Sequence, residues 1–268
     1  MNKIYLATNQ RSMRMDVMGK SAIVTGGGTG VGRATSLKLA KLGCNVLVNY
    51  SRSQTQAEET VAEIEKLGVK AIAWKADVSN DADCKAMVQG AVETFGQLHL
   101  LINNAGTTRF IRDFKLDEVK DEDWDQVLNV NLKGPFLCAR AARDPINEAG
   151  GGVIINVASS SGINAVGSSI PYCASKAALI NLNTSLARVL APKIRVNAVA
   201  PSFIDGDWLK KGFGKNYAKL KAANEERTVL GKVSTPDDVA DAILSLITGS
   251  DLVTGQVLVC DGGRSLAP

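Results

Sequence analysis

The stretch Ser21-Ala22-Ile23-Val24-Thr25-Gly26-Gly27-Gly28-Thr29-Gly30-Val31-Gly32 decides the fold. Ala22 to Thr25 are apolar or β-branched, the composition of a buried strand. The glycines that follow cannot continue a strand and supply a sharp turn. From about Gly30 the pattern becomes helical and runs to about Leu42. Strand, glycine turn and helix start, in that order, make an anion site. Glycines let the backbone approach a pyrophosphate, and the helix N-terminus offers free N–H groups and partial positive charge. The spacing Gly26-x3-Gly30-x-Gly32 differs from G-x-G-x-x-G but supplies the same services. Thr25, Gly26, Gly30, Val31 and Gly32 are therefore expected to hold a dinucleotide.

Outward from this unit, strand-like and helical segments alternate. Asn45–Tyr50 is a second strand; Ala57, Val61, Ile64 and Leu67 form one apolar helix stripe stopped by Gly68. Lys70–Lys75, His99–Asn103, Val153–Val157, Arg195–Ala200 and Gln256–Cys260 read as five further strands. Between them lie helices over Cys84–Phe95, Trp124–Asn147 and Tyr172–Leu190, and one that Ser234-Thr235-Pro236-Asp237 starts. Such alternation predicts a single-domain α/β fold: a doubly wound, parallel, seven-stranded sheet with helices on both faces. Ligands of such sheets bind outside the carboxyl ends of the strands, where the chain order reverses. Residues 18–268 are read as one catalytic, dinucleotide-binding domain, and residues 1–17 as a disordered leader or extension.

Composition narrows the function classes. A formal net charge of +4 over 268 residues, with no long basic run, gives no argument for nucleic acid. The five cysteines include no C-x-x-C pair, which reads as reduced, cytoplasmic usage without disulfides or a zinc site. His99 is the only histidine and sits in a strand, so a histidine triad or histidine metal site is not expected. No apolar run reaches the roughly 18–20 residues that span a bilayer, so no membrane partner is expected.

About 20 residues beyond such a glycine turn, an NAD site carries an acid that bonds the adenine ribose 2′-hydroxyl. Here Asn49-Tyr50-Ser51-Arg52-Ser53 takes that place. No carboxylate repels a 2′-phosphate, and Ser51, Arg52 and Ser53 can bind one. NADP(H) is the expected cofactor, with NAD(H) the alternative.

Farther along stand Asn103-Asn104-Ala105-Gly106, Asn131, Ser159, Tyr172-x3-Lys176 and Pro201. Together with the glycine turn, in this order and spacing, they resemble the short-chain dehydrogenases/reductases from about Lys20 to Gly263. The resemblance implies a Rossmann-type sheet and hydride transfer between the nicotinamide and a carbonyl or alcohol. It also implies that Asn104, Ala105 and Gly106 lie beside the cofactor and that Asp77 and Val78 contact adenine. By the same resemblance, Asn131 holds a water of a proton relay, and Pro201 and Ile204 approach the nicotinamide. Two features depart from many relatives: Pro201-Ser202 stands where they have Pro-Gly, and a threonine four residues beyond that glycine is missing.

The chemistry can also be read from the residues. Tyr172 and Lys176 share one helix face. A free tyrosine titrates at about 10, and a neighbouring ammonium lowers that value toward working pH. Tyr172 is thus expected to act as the acid/base, aided by Lys176, with Ser159 polarising the substrate oxygen. Tyr172 and Lys176 are also expected to touch the cofactor. The alternative is a regulatory protein of the same fold that binds NADP(H) without chemistry, and intact Ser159, Tyr172 and Lys176 argue against it.

The substrate is expected to be a small carbonyl or alcohol, selected by the segment from Phe203 to about Gly231. In general appearance the chain is similar to 3-oxoacyl thioester reductases and to sugar or polyol dehydrogenases. Acids in Arg143–Gly150 speak against a carrier-protein partner. By the resemblance, the helices Asn131–Arg143 and Tyr172–Leu190 and the tail Val253–Gly263 would build a homotetramer, or failing that a dimer.

Overall fold

The computed structural model describes residues 15–266. Seven strands form its sheet: β1 Ser21–Val24, β2 Asn45–Tyr50, β3 Ala71–Lys75, β4 Leu100–Asn103, β5 Gly152–Val157, β6 Ile194–Pro201 and β7 Val257–Cys260. All pair in parallel, in the order β3-β2-β1-β4-β5-β6-β7. The order reverses between β1 and β4, which opens a crevice at their carboxyl ends.

Alternation along each strand divides the core in two. Val24, Val48, Ile102 and Ile155 pack on one face with α1 (Gly30–Lys41), α2 (Gln54–Glu65) and α10 (Pro236–Thr248). Ile23, Leu47, Leu101 and Ile154 pack on the other with α3 (Asp81–Phe95), α5 (Gly134–Glu148) and α7 (Ile170–Leu190). Central strands buried on both sides need apolar residues at successive positions, which is how these strands read. The remaining helices are α4 (Asp121–Leu128), α6 (Ser161–Asn164), α8 (Asp207–Phe213) and α9 (Tyr217–Glu226).

The differences from the sequence reading have local causes. α3 starts at Asp81, ahead of Cys84, because the Asn80 side chain caps the N–H groups of Ala82 and Asp83. α2 ends at Glu65, so Leu67 lies past the helix and is exposed rather than on its stripe. The single helix expected over Trp124–Asn147 is broken by a π turn at Asn129–Lys133. The expected leader lies outside the described residues up to residue 14. Within its last residues Val17 is buried in the core and Met15 packs against it, so the folded part begins before residue 18.

Among the described residues, no helix is long and apolar enough to cross a membrane.

Candidate active site

A cleft of about 1690 Å³ lies along the carboxyl ends of the strands. At one end is the glycine turn. Gly26 and Gly30 have φ of 61° and 50°, which a side chain would strain. A β-carbon on Gly32 would fall 2.2 Å from the Gly26 carbonyl oxygen, so only glycine lets α1 start this close to the turn. Thr29 makes no side-chain cap on α1, and the first turn holds no acid. That leaves first-turn N–H groups for an anion.

The turn is held from behind. Thr25 is buried; its Oγ1 accepts the N–H groups of Asn104 and Ala105, each at 2.9 Å. Asn104 returns the contact through Nδ2 to the carbonyls of Thr25 (2.8 Å) and Gly26 (3.2 Å). Asn49 lines the cleft, yet its amide is fully engaged. Its Oδ1 accepts the Gly26 N–H, and its Nδ2 donates to the carbonyls of Tyr50, Trp74 and Ala76. It therefore sets the turn rather than offering a donor to a phosphate. Thr25, Gly32 and Asn131 are expected site residues that stand behind the cleft wall; the others line it.

Beyond β2, Ser51 and Arg52 are exposed on the cleft rim. Among the described residues the Arg52 guanidinium has no ion-pair partner. Arg33, which the sequence reading missed, also lines this end and is held by both oxygens of Glu63 at 2.6 and 2.7 Å. Its place directly after Gly30-Val31-Gly32 was the available signal. Asp77 and Val78 face the same end; the Asp77 carboxylate accepts the N–H and hydroxyl of Ser79.

At the other end Ser159, Tyr172 and Lys176 converge, all buried. The Ser159 hydroxyl donates to the Pro201 carbonyl at 3.4 Å and accepts the Ser161 N–H at 3.1 Å. Lys176 Nζ donates to the Val157 carbonyl at 2.7 Å and lies 5.7 Å from the centre of the Tyr172 ring. Burial pulls the ammonium down to about 8. Burial likewise pushes the Tyr172 phenol up to about 12, with the neighbouring Ser159 hydroxyl pulling back. The expectation that Lys176 lowers the phenol toward neutrality does not hold here. The phenolate is desolvated, and the ammonium is aimed at a backbone carbonyl instead.

Asn131, in the π turn, is fully buried. Its Oδ1 accepts the Thr107 N–H at 2.8 Å, and its Nδ2 donates to the Thr107 carbonyl (2.9 Å) and Ser175 Oγ (3.0 Å). Ser175 in turn donates to the Tyr172 carbonyl at 2.7 Å. The Asn131 side chain clamps the loop after β4 to the helix that carries Tyr172.

Over this end lies an aromatic cover built largely from the segment between Phe203 and Gly231. Trp208 stands 6.2 Å from Tyr172. Phe110 from the loop after β4 meets Phe213 at 5.1 Å, and Phe203 packs on Phe213 and Tyr217. The cover is pinned by Asp205, which takes the Tyr217 hydroxyl and the Lys221 ammonium.

An uncapped glycine-turn helix at the sheet's reversal, facing a buried serine, tyrosine and lysine, defines a nicotinamide-dependent oxidoreductase. The family model for short chain dehydrogenases matches residues 20–217. The chain belongs to the short-chain dehydrogenase/reductase family and is an NAD(P)-dependent oxidoreductase. It is 39% identical over 250 residues to the 3-oxoacyl-[acyl-carrier-protein] reductase FabG of Staphylococcus aureus, covering 92% of this chain and 98% of that one. A ketoacyl reductase assigned to the granaticin polyketide synthase of Streptomyces violaceoruber is 37% identical over 245 residues, covering 91% and 96%. A solved short-chain dehydrogenase/reductase of Burkholderia xenovorans superposes with a TM-score of 0.86 at 33% identity, covering 92% of this chain and 98% of that one.

Proposed function

We propose that the protein is an NADP(H)-preferring reductase of a carbonyl, with Tyr172 as the proton donor. The observation that carries this reading is the convergence of three buried polar groups, Ser159, Tyr172 and Lys176, at one end of a cleft whose other end is an anion cradle. A protein that merely senses the nucleotide has no use for a buried ammonium, which costs stability.

The residues present fit the cofactor. The open first turn of α1 suits the pyrophosphate, and the exposed Ser51 and Arg52 suit a 2′-phosphate. Gly106 leaves room beside Lys176, where a β-carbon would stand 3.8 Å from Nζ. When bound, the nicotinamide supplies or accepts the hydride. Everything else falls to the chain.

The phenol, held near 12, keeps its proton at Oη across the working range and can release it to an oxygen that gains charge. Ser159, on the same cleft wall, offers a second hydrogen bond to the same oxygen. Lys176 brings positive charge to the site below about pH 8.

The test is Tyr172→Phe. Loss of the general acid should lower carbonyl reduction by about 10²–10⁴-fold, while calorimetry finds NADPH affinity nearly intact. Wild-type rates in this variant would remove Tyr172 as the acid.

Relatives named as 3-oxoacyl and ketoacyl reductases support reduction as the direction. Arg143 and Asp144, in the segment that spoke against a carrier protein, pair with each other, and Glu148 leaves that segment with a negative charge.

A further inference from the structure

The reacting oxygen has to lie within hydrogen-bond reach of Tyr172 and Ser159, so the wall beside the phenol decides which carbonyl enters. That wall is aromatic. Trp208 stands at 63° to the Tyr172 ring. Phe110 meets Trp208 at 6.4 Å and Phe213 at 5.1 Å, both edge to face. Phe110 lies so close upon α8 that a β-carbon on Gly212 would fall 2.0 Å from its ring. Trp208 remains 49% exposed, and Val166, also on the cleft wall, 68%, so apolar surface is left uncovered at the opening.

Three polar side chains around the same opening are already engaged. Thr108 Oγ1 pairs with Ser168 Oγ at 2.6 Å. Asn164 Oδ1 accepts the Val166 N–H at 3.0 Å. The Asp205 carboxylate is taken by Tyr217 and Lys221. Hydroxyls of a sugar or polyol laid against the aromatic wall would find no partner on it, and unpaired buried hydroxyls oppose binding.

Resting on the reductase reading above, we propose that the site takes a ketone bearing an aromatic ring beside the carbonyl, and that Trp208 and Phe110 select the ring. Aromatic rings favour edge-to-face and offset contacts at 4.5–7 Å, the arrangement in which these side chains already stand. An entering ring extends that set. In the reaction, the carbonyl carbon takes a hydride from NADPH and the oxygen takes the Tyr172 proton, which solvent replaces. The products are the benzylic alcohol and NADP⁺.

The experiment measures kcat/KM with NADPH for acetophenone, butanone, dihydroxyacetone and a 3-oxobutanoyl thioester, in wild type, Trp208→Ala and Trp208→Phe. Wild type should favour acetophenone over dihydroxyacetone by up to about 100-fold, the extent to which an apolar pocket discriminates against an added hydroxyl. Trp208→Ala should lower kcat/KM on acetophenone about tenfold more than on butanone, mostly through KM, and Trp208→Phe should restore part of it. Equal losses on both ketones, or a wild-type preference for dihydroxyacetone or the thioester, overturn the proposal.

Independently of turnover, calorimetry should show 1-phenylethanol binding the NADP⁺-loaded protein about tenfold more weakly in Trp208→Ala. Unchanged affinity overturns the aromatic wall. Failure to reduce any carbonyl, with this affinity difference present, overturns only the reductase reading.

Discussion

Replacing Lys176 by methionine should stabilise the fold while ending turnover, and the gain should fade as pH rises. Lys176 is 4% exposed, and burial lowers its ammonium from 10.5 to about 8. At about 1.4 kcal/mol per pH unit, keeping that charge inside the protein near pH 7 costs roughly 3 kcal/mol relative to water. Because the folded value lies below the unfolded one, the unfolded chain binds more protons between about pH 8 and 10.5. The cost is present in full below pH 8, and stability recovers as pH climbs through that interval.

Methionine keeps the length and apolar stem without the charge. It also strips the Val157 carbonyl of its donor, which takes back about 1–2 kcal/mol. The variant should therefore gain about 1–2 kcal/mol near pH 7, and that advantage should vanish or reverse by about pH 10. Urea unfolding of both proteins without nucleotide, at one protein concentration and at several pH values from 7 to 10, reads the difference directly. Surface groups common to both cancel. A variant less stable than wild type at pH 7, by an amount that does not change with pH, would refute the claim that this ammonium is held against its solvation.

Two further outcomes follow from the same contacts. Arg52→Ala should weaken NADPH binding about tenfold, as expected for losing a charge-assisted bond, and leave NADH within about twofold; equal effects on the two nucleotides in calorimetric titrations would remove Arg52 as the 2′-phosphate ligand. His99 is buried, accepts the Ser21 N–H at 3.3 Å through Nδ1, and is pulled down to about 4 mainly by burial. The unfolded chain then binds more protons between about pH 4 and 6.5, so His99 costs the fold about 2–3 kcal/mol as pH falls across that range. In His99→Leu, denaturant unfolding at pH 6.5 and 4.5 should show a correspondingly shallower loss, and an unchanged slope would contradict the burial argument.

What the sequence made legible was whatever depends on period and local punctuation. β2 ran as read, and the other strands ended within a residue or so, because strands buried on both faces need runs such as Asn45–Tyr50 and Val153–Val157. The N-terminus of α10 was equally plain: Thr235 and Asp238 cap each other's N–H groups. The π turn at Asn129–Lys133 was not legible, since an inserted residue leaves the apolar pattern of a helix almost intact. Nor were the roles of Thr25 and Asn49, which are set by partners on β4 and β3 and in the glycine turn. For Tyr172 and Lys176 the i, i+4 spacing gave the shared face correctly. It could not give the burial that moves both groups, because burial belongs to the whole site.

The loop after β4 ties the two ends of the cleft together, and this predicts how Asn131 should behave. Asn104 and Ala105 are bound to Thr25 and the glycine turn, while Thr107, a few residues on, is bound at both N–H and C=O by Asn131. Asn131 continues through Ser175 to the backbone of Tyr172. The amide thus sets the distance between the cradle and the acid without lining the cleft itself. Asn131→Ala leaves the cradle's own bonds intact but frees Thr107 and Ser175. Nucleotide affinity should therefore hold within about threefold while kcat falls by about 10–100-fold, the penalty of a small misplacement of reacting groups. A purely structural role would lower melting temperature and nucleotide affinity together. A variant that loses NADPH binding in step with kcat would show that the loop does not separate the two ends in this way.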